Sequence, residues 1–174
     1  SSFFTKKNIA IYIAFIILYR LGEGFVMKIV PLFLKETVVN GGLGLSEKSI
    51  GTLYGICGSA AFVLGSIISG YFVAHYGLKK CLLPLICIFN FPFLVYTYLA
   101  WAQPSSLWVI GGGIIFEYFG YGFGFSAYML FMIYFSQGEH KTSHYALCTG
   151  FMALSMMVPG LFAGTLAQAV GYRW

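Results

Sequence analysis

Long apolar stretches alternate with short polar breaks along the 174 residues, and that spacing sets the elements before any single residue does. The hydrocarbon core of a bilayer is about 30 Å thick and takes about 20 helical residues at about 1.5 Å each. Five stretches meet that length, over about 8–35, 49–76, 81–102, 107–136 and 143–170. Ser46 is placed to cap the second, with Glu47 in its first turn, where a carboxylate complements the helix N-terminus. Gly171 is placed to end the fifth. The pattern predicts an all-α membrane protein, a bundle of five transmembrane helices.

Composition removes the soluble alternative. Charged residues are 9% of the chain and hydrophobic ones 59%, with a mean hydropathy of +0.83. A globular domain of this length has too little interior to bury so much apolar surface, so the expected partner is the lipid bilayer. The net charge of +5 does not mark a nucleic-acid partner, because the basic residues stand singly or in pairs and form no patch. Distributed over the short loops, they orient the bundle instead. One face carries Lys6, Lys7, Lys79, Lys80 and Lys141, the other Lys35, Lys48 and Arg173, which places the N-terminus in the cytoplasm. The opening Ser1-Ser2-Phe3-Phe4-Thr5 has no initiator Met and no signal-peptide cleavage pattern, so the chain is expected to be a cut segment.

Four ionisable residues fall inside the spans: Arg20, Glu23, Lys28 and Glu117. A basic group at the bilayer centre costs at least ~2.5 kcal/mol, so buried charge marks a functional site by default. Arg20 and Glu23 lie roughly 18 and 22 Å along the first span from Asn8, and Glu117 roughly 15 Å along the fourth from Leu107. All three are expected near the midplane, in a water-filled cavity that meets a polar substrate or a proton. The plainer alternative is a structural ion pair with a protonated Glu117 between helices. Lys28 is near enough to the surface to reach water. Arg20 and Glu23, three residues apart, can pair on one face.

The fourth span holds Gly111, Gly112, Gly113, Gly120, Gly122 and Gly124, and is expected to bend or unwind. Pro31 offers a similar break near the end of the first. Interrupted helices at mid-depth are where secondary transporters bind solutes. Around Glu117 stand Tyr118, Phe119, Tyr121, Phe123, Phe125 and Tyr128; rings beside a carboxylate suit a sugar, although for any single ring packing and lipid contact are the better explanation. Small residues spaced as Gly51-x-x-x-Gly55 and Gly160-x-x-x-Gly164 predict close helix approach.

Other chemistry finds little footing. Cys57, Cys81, Cys87 and Cys148 form no C-x-x-C pair and read as packing residues. His140, His144 and Cys148 share a spacing of four but lack a fourth ligand, so no metal and no cofactor are expected. Gly120-Tyr121-Gly122-Phe123-Gly124 lies inside a helical run and fits neither a potassium filter nor a dinucleotide loop. The three histidines sit at the cytoplasmic edge and aspartate is absent, which argues against an intramembrane enzyme such as an acyltransferase.

The loop after the second span, Gly70-Tyr71-Phe72-Val73-Ala74-His75-Tyr76-Gly77-Leu78-Lys79-Lys80, resembles in degenerate form the G-x-x-x-D-R-x-G-R-R loop of major facilitator transporters. Ala74 stands where Asp is usual, leaving that position without the carboxylate of a gating salt bridge. Leu18-Tyr19-Arg20-Leu21-Gly22-Glu23-Gly24-Phe25-Val26-Met27 looks like the start of the seventh helix of AmpG-type muropeptide permeases. Phe116-Glu117 with the glycines to Gly124, Ser143-His144-Tyr145-Ala146-Leu147, and Pro159-Gly160 through Gly171-Tyr172-Arg173-Trp174 resemble its tenth and eleventh helices. The resemblance covers nearly the whole chain, and acetyl-CoA transporters share it. It implies that the five spans are helices 7–11 of a twelve-helix fold, a partial C-terminal half whose N-terminal half and twelfth helix lie elsewhere. It further implies a proton-driven importer of anhydro-muropeptides in peptidoglycan recycling, in a bacterial inner membrane. Arg20, Glu23, Glu117, Tyr118 and Tyr121 would bind substrate and protons, with Gly70, Gly77, Lys79 and Lys80 forming the loop motif. The alternatives are a related transporter for acetyl-CoA, a sugar or a peptide, and a membrane subunit that transports nothing itself.

Overall fold

The computed structural model describes residues 3, 4, 6, 8–91 and 93–170, and its regular elements are helices throughout. Helix α1 spans Ile9–Lys35 and runs through Pro31 without ending. The expected break is therefore not made: Pro31 lies in the last turns, where losing one N–H donor interrupts little of the ladder. The chain then folds back on the end of α1. Leu43 and Leu45 donate backbone N–H bonds to the carbonyls of Phe33 (3.1 Å) and Leu34 (2.8 Å). Gly41 (φ 87°) and Gly44 (φ 64°) supply the left-handed backbone that this return requires. Within it, the Asn40 amide and the Thr37 N–H donate to Glu36 and hold its carboxyl below the usual range.

A second run, Glu47–Tyr76, is helical from end to end. The Ser46 hydroxyl accepts from the Ser49 N–H (3.2 Å) with Glu47 in the first turn, as the sequence predicts. The run comprises α2 (Glu47–Thr52), a π-helical stretch (Leu53–Gly58) and α3 (Ser59–Tyr76). The third expected span begins earlier and comes in two pieces, α4 (Leu78–Asn90) and α5 (Phe93–Ala102). Helix α6 is Leu107–Phe135 and α7 is Lys141–Val170. The expected helix stop at Gly171, and the loop charges Lys7 and Arg173, lie outside the described residues.

Four of these runs are long and apolar enough to cross a membrane: Ile9–Lys35, Glu47–Tyr76, Leu78–Ala102 and Lys141–Thr165. Helix α6 is not among them, being diluted by its glycines, tyrosines and Glu117. It is instead the most enclosed element, with twelve buried residues. The outward faces of the others carry large apolar side chains such as Leu83, Tyr71 and Leu161, each more than 70% exposed. A surface of that kind is stable against lipid, and the chain is an all-α integral membrane protein.

Helix α6 stays α-helical across its whole glycine run, so the expected unwinding does not occur there. Its glycines serve close packing instead. A Cβ on Gly122 would strike the Phe62 carbonyl, one on Gly65 the Phe119 carbonyl, and one on Gly124 the Phe89 ring. The small residues singled out for close approach behave differently: Gly51, Gly55 and Gly164 face open space, and Gly160 meets only the Lys28 stem. The interruption falls in the second run, where the π-helical stretch adds a residue to one turn.

Candidate functional site

Helices α1 and α6 run antiparallel in constant register. The Lys6 ammonium donates to the Phe135 (2.5 Å) and Gln137 (3.1 Å) carbonyls at the far end of α6. Further along, Tyr128 Oη donates to the Ile16 carbonyl (2.9 Å) and Tyr19 Oη to that of Gly124 (3.0 Å). The Tyr19 and Tyr128 rings stack at 4.7 Å and 3°, with Phe89 on the other face of Tyr19 at 4.6 Å. At the opposite end Phe33 and Leu34 share an apolar cluster with Ile110 and Ile114.

Between these two apolar layers lies the charge. Arg20 Nη1 donates to Glu23 Oε2 at 2.5 Å, the i,i+3 pair that the spacing predicts. Arg20 Nη2 reaches Tyr121 Oη at 3.5 Å, and the guanidinium lies over the rings of Tyr121 (5.4 Å) and Phe125 (5.1 Å). Glu117 accepts a hydrogen bond from Tyr96 Oη at 3.1 Å. Tyr118 packs its ring edge-on to Tyr121 at 6.2 Å.

Arg20, Glu23 and Glu117 are only 5, 1 and 4% exposed. The three are enclosed by protein rather than opening onto the water-filled cavity anticipated from their depth. Rings from α3, α5 and α6 take the place of water. A closed ion pair is tolerable only when its remaining lone pairs and protons are satisfied. Here Arg20 Nε and Glu23 Oε1 are buried without a hydrogen-bond partner among the described residues. The pair therefore keeps one donor and one acceptor in reserve, which a ligand group or a transferred proton can engage.

The remaining predicted residues lie elsewhere. Gly77 (φ 82°) makes the sharp link between α3 and α4, and Lys79 and Lys80 are exposed in the first turn of α4. Gly70 faces open space. None of the four approaches the buried charges. Lys28 is exposed, its stem passing Gly160. The His140 and His144 rings stand 6.3 Å apart, and Cys148 Sγ accepts from Ser136 Oγ at 3.8 Å. Tyr54 and Tyr96 are polar contributors that sequence reasoning missed. Their partners are on other helices, and a tyrosine in an apolar run gives no local sign of them.

No family model matches the chain. Over 98% of its length it is 26% identical to an uncharacterized protein of Haemophilus influenzae. Over the same share it is 24% identical to the anhydromuropeptide permease of Escherichia coli, in both strain K12 and strain O157:H7. The chain spans 41% of the first relative and 33% of the permease. This similarity supports a place among transporters of small solutes without choosing a member. The named relatives are permeases rather than enzymes, which agrees with the expectation that the chain catalyses no reaction.

Proposed function

We propose that the chain is the C-terminal part of a proton-coupled major facilitator transporter that imports anhydro-muropeptides across a bacterial inner membrane. Its five long helical runs stand for helices seven to eleven, α6 included, with the N-terminus of the segment in the cytoplasm. A longer chain supplies the remaining helices of the transporter. One observation carries the reading: an ion pair from α1 and a carboxylate from α6 share a layer between two apolar clusters. Apolar side chains often fill such a place at no loss of stability, so charge kept there favours a functional role.

In this reading Glu117 or Glu23 takes the proton, and Arg20, with Tyr118 and Tyr121 beside it, receives an anionic group of the solute such as a peptide carboxylate. Protonating Glu23 removes the counterion of Arg20, so proton and anion binding favour one another. The test is uptake into proteoliposomes by the full-length protein, with labelled anhydro-muropeptide set against acetyl-CoA and simple sugars. Muropeptide uptake should follow an inward proton gradient, and Glu117→Gln should abolish it. Gradient-driven uptake that survives Glu117→Gln refutes the assignment of that carboxylate; preference for another solute refutes the substrate.

A further inference from the structure

Glu117 does not end the polar structure around it. Tyr96 on α5 donates its hydroxyl proton to Glu117 Oε2 (3.1 Å), and Tyr54 Oη lies 3.4 Å from Tyr96 Oη. A phenol has one proton, and that of Tyr96 is already committed. The second bond must therefore be donated by Tyr54. The result is a directed chain, Tyr54 to Tyr96 to Glu117, drawn from three separate helical segments.

Tyr54 owes its position to the π-helical stretch Leu53–Gly58, whose extra residue turns the side chain relative to a regular helix. Gly58 closes that stretch against the Tyr118 ring, where an added Cβ would come within 3.1 Å. Tyr54 meets the same ring edge-on at 5.2 Å. The stretch is thus held in register by contacts that fix Tyr54 over Tyr96. Tyr54 is half-buried and packs against the apolar cluster at the Lys35 end of the bundle, through neighbours such as Leu53 and Ile50. The opposite end is shut by the stacked Tyr19, Tyr128 and Phe89. The titratable groups acting with Glu117 are Tyr96 on α5, Tyr54 on the π-helical stretch, Tyr118 on α6 itself and Glu23 on α1, with Arg20 beyond Glu23.

We infer that Tyr54 and Tyr96 are positioning residues that hold Glu117 and carry its proton exchange to the Lys35–Glu47 end of the bundle. The inference rests on the proton-linked role given to Glu117 above. In the inward step a hydronium ion at that end gives a proton to Tyr54 Oη. The proton of Tyr54 passes to Tyr96 Oη and that of Tyr96 to Glu117 Oε2. Water leaves, each phenol again holds one proton, and the carboxylate has become a carboxylic acid. Release runs the same chain backwards.

The experiment uses the full-length protein in proteoliposomes with labelled anhydro-muropeptide. Tyr96→Phe and Tyr54→Phe keep the rings and remove only the hydroxyls. Net uptake driven by a proton gradient should fall roughly tenfold in Tyr96→Phe, the effect of one hydrogen bond to a carboxylate. Its pH profile should move toward alkaline pH. Exchange of labelled for unlabelled solute at equal pH, which moves no net proton, should fall far less. Tyr54→Phe should act in the same direction, and the double variant should be no worse than Tyr96→Phe, because links in series do not add. In infrared difference spectra, the carboxyl band lost in Glu117→Gln should shift in Tyr96→Phe. If Glu117→Gln abolishes gradient-driven uptake while both phenylalanine variants keep the wild-type profile, the relay is wrong and the transporter reading stands. Equal loss of net uptake and exchange with an unshifted carboxyl band makes the tyrosines merely structural and also overturns it. Gradient-driven uptake that survives Glu117→Gln overturns the relay together with the proton-linked role of Glu117, and leaves the transporter reading with Glu23 as its carboxylate.

Discussion

Where α3 meets α6 the two backbones touch: Gly65 lies against the Phe119 carbonyl and Gly122 against that of Phe62, and Ser66 Oγ donates to the Gly122 carbonyl at 3.1 Å. Where α1 meets α6 the backbones stand apart and long side chains bridge them, through Tyr19, Tyr128 and the Arg20–Tyr121 contact. Helix α1 has its own close neighbour in α7, since a Cβ on Gly24 would come within 2.9 Å of Pro159 Cγ. The bundle is thus two glycine-packed pairs joined along a seam of rings and charges. Packed backbones have one arrangement, because a displacement of even an ångström loses the contact. Tyrosine hydroxyls can exchange partners at modest cost, about 1 kcal/mol per bond. The seam, which also holds the buried charge, is where a moving part is expected, and the pairs are what it moves.

The strongest test of that contrast is to spoil a pair. Gly122→Leu forces a side chain into the Phe62 carbonyl, and neither helix can yield without parting. We expect a loss of at least about 3 kcal/mol, or failure to recover folded protein. Gly112→Ala, on the same helix but with nothing within 4 Å, should cost no stability and gain up to about 1 kcal/mol from helix propensity. Thermal unfolding in detergent with size-exclusion profiles measures both. Similar behaviour of the two variants would mean that the glycines are not the basis of the pairing.

How much of this was open to sequence reasoning divides along the same line. Period and length locate the helical runs, and the Ser46 cap and the Arg20–Glu23 pair follow from local spacing, since both partners lie within one turn. The glycines of α6 misled. Intrinsic propensity predicts unwinding, whereas in the folded bundle Gly122 and Gly124 are required by the helices opposite, so tertiary packing overrides the local preference. The π-helical stretch and the Tyr54–Tyr96–Glu117 chain were equally hidden. Each depends on which faces of distant segments meet, and an apolar run with one-fifth aromatics in the chain marks no particular tyrosine. Depth along a helix placed Glu23 and Glu117 at similar heights but said nothing of which way they turn.

The seam itself should yield in smaller steps. Tyr128 is fully buried, and its hydroxyl bond to the Ile16 carbonyl is its tie to α1 beyond ring stacking. Tyr128→Phe should lower stability by about 1 kcal/mol, the net value of one buried hydrogen bond. Tyr19→Phe, losing the bond to Gly124, should do the same. Because the two rings stack on each other, the double variant should differ from the sum of the singles, which a double-mutant cycle reads directly. Losses as large as that of Gly122→Leu would make the seam as rigid as the pairs and end the distinction between them.

The smallest effect is expected at an exposed ion pair of excellent geometry. Lys35 Nζ and Glu47 Oε1 are 2.6 Å apart, tying the end of α1 to the start of α2, nearly the same length as the Arg20–Glu23 bond. Distance alone would rank the two together. Their surroundings separate them: the Lys35 and Glu47 side chains are 61 and 79% exposed, so water solvates each charge whether or not the pair forms. The Coulomb gain is screened, and holding two long side chains offsets what remains. The loop between them is already fixed by the backbone bonds of Leu43 and Leu45 to α1, which do not depend on the pair. Lys35→Met should therefore leave the unfolding midpoint unchanged within error, at low and high salt alike. A clear drop at low salt that vanishes at high salt would show that the ion pair, and not the backbone return, holds this end of the bundle closed.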